Sequence, residues 1–195
     1  KQMVNNPPQG GFEKISQWFV APNSSIYAHA DNHEMKWDAN NRLYIGNDGG
    51  IGVSNNFGET WYPSNRGYNV TQFYGIAFDR TGAVMGGAQD NGTLYNDFSL
   101  STPQEFREVN GGDGFWTIPD VDGKTVYSEY QGGNMFRGEI ATMKNENIQP
   151  QKTAKEEKLR WNWNTPIALG SKNPKNLYVG AQYLYKSTDQ GRNWK

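Results

Sequence analysis

Leu43-Tyr-Ile-Gly-Asn-Asp48 returns three times along the chain, as Val84-Met-Gly-Gly-Ala-Gln89, Val126-Tyr-Ser-Glu-Tyr-Gln131 and Leu177-Tyr-Val-Gly-Ala-Gln182. The starts lie 41, 42 and 51 residues apart. A shorter apolar segment precedes each copy: Met35 to Trp37, Ile76 to Phe78, Trp116 to Ile118 and Ile167 to Leu169. Turn-forming residues separate the two, namely Asp38-Ala-Asn-Asn41, Asp79-Arg-Thr-Gly82, Asp120-Val-Asp-Gly123 and Ser171-Lys-Asn-Pro-Lys-Asn176. Asp and Asn hydrogen-bond the backbone two residues on, and Gly and Asn accept positive φ. A third strand follows each copy, at Ile51 to Ser54, Thr93 to Tyr95, Asn134 to Arg137 and Tyr183 to Ser187. Outer strands are expected at Trp61-Tyr62, Phe106 to Val109 and Leu159 to Trp163.

Strand, turn, strand, loop, strand at a period of roughly 40–50 residues is the spacing of a propeller blade. The expected fold is therefore an all-β propeller of four-stranded antiparallel blades. A β-sandwich also has short strands and frequent turns, but its strands need not resemble one another in register. Residues 1–195 read as one segment of about four blades, an arc of a larger ring. Gly11 to Val20 read as the outer strand of a preceding blade, and 138–158 as a charged insertion that lengthens the third repeat.

Two stretches carry the Asp-box pattern, Ser-x-Asp-x-Gly-x-Thr-Trp. The first is Ser54-Asn-Asn-Phe-Gly-Glu-Thr-Trp61, with Asn56 in the Asp position; the second is Ser187-Thr-Asp-Gln-Gly-Arg-Asn-Trp194, with Asn193 in the Thr position. A short acceptor ties down the turn amides, Gly takes a conformation closed to residues with a Cβ, and Trp covers the hairpin. The expected role of Ser54, Asn56, Gly58, Trp61, Ser187, Asp189, Gly191 and Trp194 is structural.

Composition narrows the function. The 195 residues are 35% hydrophobic and 14% aromatic, with a net charge of −1 and no cysteine. No basic tract points to nucleic acid, no run of about 18 apolar residues points to a membrane span, and disulfides and thiolate metal sites are excluded. No signal peptide is visible, but the chain opens on Lys1, so that carries no weight.

His29-Ala-Asp-Asn-His33, Tyr44-Ile-Gly-Asn-Asp-Gly-Gly50, Gln72-Phe-Tyr74, Gly87-Ala-Gln-Asp-Asn-Gly92, Gly111-Gly-Asp-Gly-Phe-Trp116, Tyr130-Gln-Gly-Gly133, Arg160-Trp-Asn-Trp-Asn-Thr-Pro166 and Ser187-Thr-Asp-Gln-Gly191 together resemble the bacterial sortilin-like (VPS10-type) Asp-box, or BNR-repeat, propeller proteins. The resemblance runs from about Tyr27 to the last residue. It implies a large exported protein, an extracytoplasmic location and further blades. Such proteins are often labelled glycosyl hydrolases, because Asp-box propellers also build sialidases and xyloglucanases. One fold hosts many functions, so no reaction follows from it.

In a four-stranded meander, the loops between second and third strands share a face with the connections between blades. That face is expected to collect Asp31, His33, Asp48, Gln72, Gln89, Asp90, Asp113, Trp116 and Gln131, while the Asp-boxes lie opposite. Asp48, Gln89, Gln131 and Gln182 occupy one equivalent position. For the three glutamines, bonding to a neighbouring blade's backbone is the stronger reading; for Asp48, Asp90 and Asp113 structural and functional readings stand level. His33, Asp31, Gln72, Gln89, Trp116 and Gln131 are the candidate ligand-binding residues.

A metal site at His29, His33, Asp31 and Glu34 lacks the further ligands of a typical zinc set, and no complete EF-hand loop is present. Neither a metal nor a cofactor is expected. The leading reading is a binding or scaffold module for peptide or glycan. A glycoside hydrolase is the alternative, with Asp48, Asp90 and Asp113 as catalytic candidates, since two carboxylates about 5–9.5 Å apart would be required. Asp31, Glu34 and Glu129 are reserves. A structural domain within a larger assembly is the third reading.

Overall fold

A computed structural model describes residues 14–68, 70–98, 106–152 and 157–195. They are all-β, and the sheets are propeller blades: antiparallel meanders in which each strand pairs with its sequence neighbour. The chain divides into two compact units, Lys1–Asn69 and Val70–Lys195.

The first unit holds one sheet of β1 (Asn32–Trp37), β2 (Leu43–Asn47), β3 (Gly50–Ser54) and β4 (Tyr62–Pro63). Leu43 and Ile45 point from β2 into a small core with Ala28 and Trp61, and Ile15 packs on it. The Asp38 carboxylate closes the β1–β2 turn by accepting the backbone N–H groups of Arg42 (2.9 Å) and Asn40 (2.8 Å). The Arg42 N–H is the main cause holding that carboxyl below its ordinary range.

The second unit holds three sheets. One contains β5 (Gly75–Phe78), β6 (Val84–Ala88), β7 (Gly92–Asn96) and β8 (Arg107–Asn110). The next contains β9 (Gly114–Pro119), β10 (Thr125–Tyr130), β11 (Asn134–Glu139) and β12 (Lys144–Asn147). The last comprises β13 (Ile167–Leu169), β14 (Leu177–Gly180) and β15 (Leu184–Ser187). These sheets stack in succession, β5 and β6 against β9, and β9 against β13.

Two cores seal the joints. Ala83, Met85, Tyr95 and Val109 meet Val126 and Ile140 at one. Tyr127, Met135 and Ile148 meet Ile167, Leu177 and Val179 at the other. Neighbouring residues of β10 thus serve opposite joints, Val126 one and Tyr127 the other. This is why Val126 to Glu129 are buried without the polar alternation of a half-exposed strand.

The outer strand of the third sheet is Lys144–Asn147, paired with β11, rather than the expected Leu159 to Trp163. A tight turn reverses the chain early: Met143 takes φ 54° and its N–H bonds Glu139 O at 2.8 Å. The stretch read as an insertion from 138 therefore begins with the end of β11, this turn and β12. The extra length lies between Asn147 and Ile167. Leu159 to Trp163 instead lead into β13, with the Trp163 carbonyl accepting Gly132 N–H at 3.1 Å.

Of the stretch read as a preceding outer strand, residues 11–13 lie outside the described residues. The remainder forms an isolated parallel bridge, Gln17 to Tyr27.

Candidate functional site

Both Asp-boxes fold alike. Ser54 Oγ accepts the Gly58 N–H at 2.8 Å, and Ser187 Oγ accepts the Gly191 N–H at 2.8 Å. Asn56 Oδ1 accepts the Thr60 N–H at 2.9 Å, as Asp189 Oδ1 accepts the Asn193 N–H at 2.9 Å. Asn56 thus fills the Asp role without a charge. The pairs Phe57–Gly58 and Gln190–Gly191 both stand at positive φ, which glycine adopts at little cost.

In the first unit, the end of the sheet is organised around the β2–β3 turn. His33 Nε2 lies 2.5 Å from Asp48 Oδ1, with the imidazole largely exposed. Asn47 Oδ1 accepts the Gly49 N–H (3.1 Å), and Asn47 Nδ2 reaches Asn32 Oδ1 (3.4 Å). Asn65 straps the turn from the other side, accepting from Ile51 N–H and donating to Gly49 O. The His29 ring lies so close that a Cβ on Gly49 would meet it at 2.6 Å. A bulge between Asn32 and Glu34 sets His33 against Asp48; bulges re-aim side chains at the ends of strands. Asp31 is exposed beside them, in left-handed backbone at φ 53°.

In the second unit the loop ends are tied in series. Asp90 N–H donates to Asp113 Oδ1 (3.0 Å), and Asp113 N–H donates to Gln131 Oε1 (2.7 Å). Gln182 Oε1 takes the Arg160 N–H (2.7 Å), and its amide donates to Lys158 O (3.0 Å). Gln131 and Gln182 therefore do one job: each holds the segment leading into the first strand of its own sheet. Gln89 is half-buried at the end of β6, and Gln72 is exposed ahead of β5.

A row of rings runs across the three sheets of this unit. Tyr74 meets Phe115 edge-on at 5.1 Å, and Phe115 meets Trp163 at 6.4 Å. The central ring is 1% exposed, while Tyr74 and Trp163 are 53% and 55% exposed. Each comes from the approach to, or start of, a first strand in a different sheet. Trp116, on β9, is 43% exposed.

Glu129 is the residue whose place in the structure the sequence reading understated. It is wholly buried, and its Oε1 accepts backbone N–H groups of Gly133 (3.3 Å) and Thr165 (3.2 Å). Oε2 is buried with no hydrogen-bond partner. The signal was present: the equivalent position of the other three repeats is Gly46, Gly87 and Gly180.

No helix among the described residues is long and apolar enough to cross a membrane. No protein-family model matches the chain, and no curated protein matches it. Among solved structures it is similar to the GH74 xyloglucanase from Xanthomonas campestris, at 17% identity and a TM-score of 0.48, over 84% of this chain and 29% of that one. It is similar to the extracellular domain of a putative one component system from B. thetaiotaomicron, at 14% identity and 0.45, over 90% and 23%. A third is YCF48 bound to D1 peptide, at 12% identity and 0.47, over 84% and 52%. The chain thus spans between about a quarter and a half of the length of these proteins.

Proposed function

We propose that the chain is a ligand-binding or scaffold part of an exported, sortilin-like Asp-box propeller, taking peptide or glycan over the loop ends of its sheets. The observation that carries this reading is the exposed ring pair Tyr74 and Trp163 about the buried Phe115. Aromatic faces stack on apolar and sugar surfaces alike, and a ring already held by its neighbours loses little freedom on binding. The Asp90–Asp113–Gln131 ties support the same reading, because they fix the loops around the rings before a ligand arrives. His33 and Asp48 form the corresponding polar end of the first unit's sheet. Further blades, in the same or a larger protein, complete the ring in this reading, and the location is extracytoplasmic.

The test is binding of a peptide panel and an oligosaccharide panel to the full chain and to Tyr74→Ala and Trp163→Ala. A drop in affinity of tenfold or more for one panel, in variants with unchanged thermal unfolding, supports it; unchanged affinity for both panels refutes it. A hydrolase reading is favoured by the adjacency of Asp90 and Asp113 on successive loops. Turnover of any glycan, lost in Asp48→Asn, Asp90→Asn or Asp113→Asn, would establish it over simple binding.

A further inference from the structure

The column Gly46, Gly87, Glu129, Gly180 sets one joint of the second unit apart from its neighbour. At the β6–β9 joint, glycine lets backbone lie on backbone: a Cβ on Gly87 would meet Phe115 O at 2.2 Å and Phe115 N at 2.4 Å. Counting in register from the β9–β10 and β13–β14 pairs, Thr165 holds in its sheet the place that Phe115 holds in the third. Yet Thr165 does not rest on backbone. Its N–H donates to the carboxyl of Glu129 (3.2 Å), so a side chain stands where the previous joint has direct backbone contact.

Three pieces of chain converge on this carboxyl. Hydrogen bonds come from the β10–β11 turn through Gly133 N–H and from the lead-in to β13 through Thr165 N–H, and β9 lies alongside as the paired strand. The β9–β10 register shifts between Ser128 and Tyr130, at Glu129. The same lead-in holds Trp163, and Trp161 lies against Gly133, where a Cβ would meet its ring at 2.6 Å.

We propose that Glu129 is a protonation-controlled wedge: with its proton it holds the Asn162–Thr165 lead-in to β13, and its ionisation loosens that lead-in and the exposed Trp163 it carries.

The charge balance at the site supports this. Ionising a carboxyl whose second oxygen is buried without a partner is costly. Burial is the largest influence on Glu129 and pushes its pKa up to about 8, against the downward pull of the neighbouring backbone N–H groups, Thr165 foremost. Among the described residues no charge on a neighbouring element offsets it. β9 and β13 carry no ionisable side chain. On β11, Arg137 is paired with Glu146, and Glu139 is exposed at the far end of the strand. On β10, Tyr127 donates its hydroxyl to Asp120. Arg160, on the lead-in, pairs with Glu157 in solvent. The Gln131–Gly133 turn is uncharged.

The sign follows from the two end states. A closed joint holds the proton up to about pH 8, and an opened, solvated carboxyl releases it near about 4.3. The joint is therefore tightest below the ordinary carboxyl range, and its closed-to-open ratio falls by up to about tenfold per pH unit until pH 8, then levels.

Amide exchange by NMR on the full chain tests this, with each rate divided by its intrinsic rate at the same pH. The expected result is a protection of Thr165 and Gly133 that declines between pH 5 and 8 and levels above. In Glu129→Gln the decline disappears while protection stays measurable. Glu129→Gly, which installs the residue of the other three repeats and removes the acceptor of both N–H groups, is a second variant should the glutamine not fold; there the protection of Thr165 and Gly133 is expected to be low and to show no decline with pH. Independently of both, the Glu129 side-chain carboxyl carbon of the wild type titrates near pH 8. Flat protection in the wild type, a decline that survives in either variant, or a carboxyl midpoint below 6 would overturn the proposal. None of these readings involves a ligand.

Discussion

The indole N–H of Trp194 donates to the carbonyl of Ile148, 46 residues earlier, at 2.7 Å; Trp61 does the same to Ile15, also 46 residues earlier, at 2.9 Å. Each Asp-box therefore does more than shape its own hairpin. Its glycine lies beside the same isoleucine, since a Cβ on Gly191 would meet Ile148 Cδ1 at 2.7 Å and one on Gly58 would meet Ile15 Cδ1 at 2.4 Å. In the second unit Ile148 directly follows an outer strand, β12, so the box clamps the chain as it leaves the preceding sheet.

Trp194→Phe keeps most of the ring but leaves the half-hidden Ile148 carbonyl without its donor. A loss of about 1–3 kcal/mol is expected, read as a shifted urea midpoint with unchanged slope. Trp61→Phe should lose a similar amount. A midpoint equal to wild type in both would show the clamp to be idle.

Gly87→Ala should be far more damaging than Gly82→Ala. At Gly87 the new methyl meets the backbone of Phe115, which cannot move without displacing β9, whereas at Gly82 nothing lies within 4 Å. The expected cost is about 3 kcal/mol or more at Gly87. At Gly82 the cost is the left-handed strain alone, about 1 kcal/mol. Thermal unfolding of the two variants side by side measures the contrast.

The second Asp-box should be acid-sensitive in a way the first is not. Asn193, through its side chain and then its backbone, and Ser187 hold the Asp189 carboxyl down to about 2. A lowered carboxyl contributes stability above its ordinary pKa and loses it as pH falls through the folded value. The wild type should therefore lose stability between about pH 4 and 2, and Asp189→Asn, mimicking Asn56, should remove that component. Acid titration of the unfolding midpoint for both proteins shows whether it does.

Asn56→Asp restores the acid that the first box lacks. Its Oδ1 keeps the Thr60 N–H and the Ser54 hydroxyl, while the bond from Asn56 Nδ2 to Thr60 Oγ1 (3.0 Å) is given up. Stability at neutral pH should stay within about 0.5 kcal/mol of wild type, with a new loss appearing on acidification. Differential scanning calorimetry at two pH values distinguishes this from a merely disruptive change.

The repeat was legible because its apolar positions are buried cores: Met85, Val126, Tyr127 and Leu177 at the two joints, and Leu43 in the core of the first unit, are nearly inaccessible to solvent. Lys144–Asn147 was not legible as a strand, because all four residues are exposed and polar and nothing in them alternates. The apolar signal of Leu159 to Trp163 was real, but it reports a lead-in held by Gln182 and Gly132 rather than a strand. The His33–Asp48 contact joins residues 15 apart across a bulge, which periodicity does not register. Glu129 was visible as the odd member of a glycine column, but only the N–H groups that converge on it show why an acid stands there.

The 46-residue reach of each tryptophan also bears on biosynthesis. A clamp that spans only that length closes on chain already made, so each hairpin fastens backwards on its predecessor and waits for nothing downstream. A span of 46 residues is a non-local contact, so each clamp closes more slowly than the turns within a sheet. The sheet ahead of the second Asp-box is thus secured only once Trp194 has left the ribosome and reached Ile148, and until then its outer edge is open to other nascent chains.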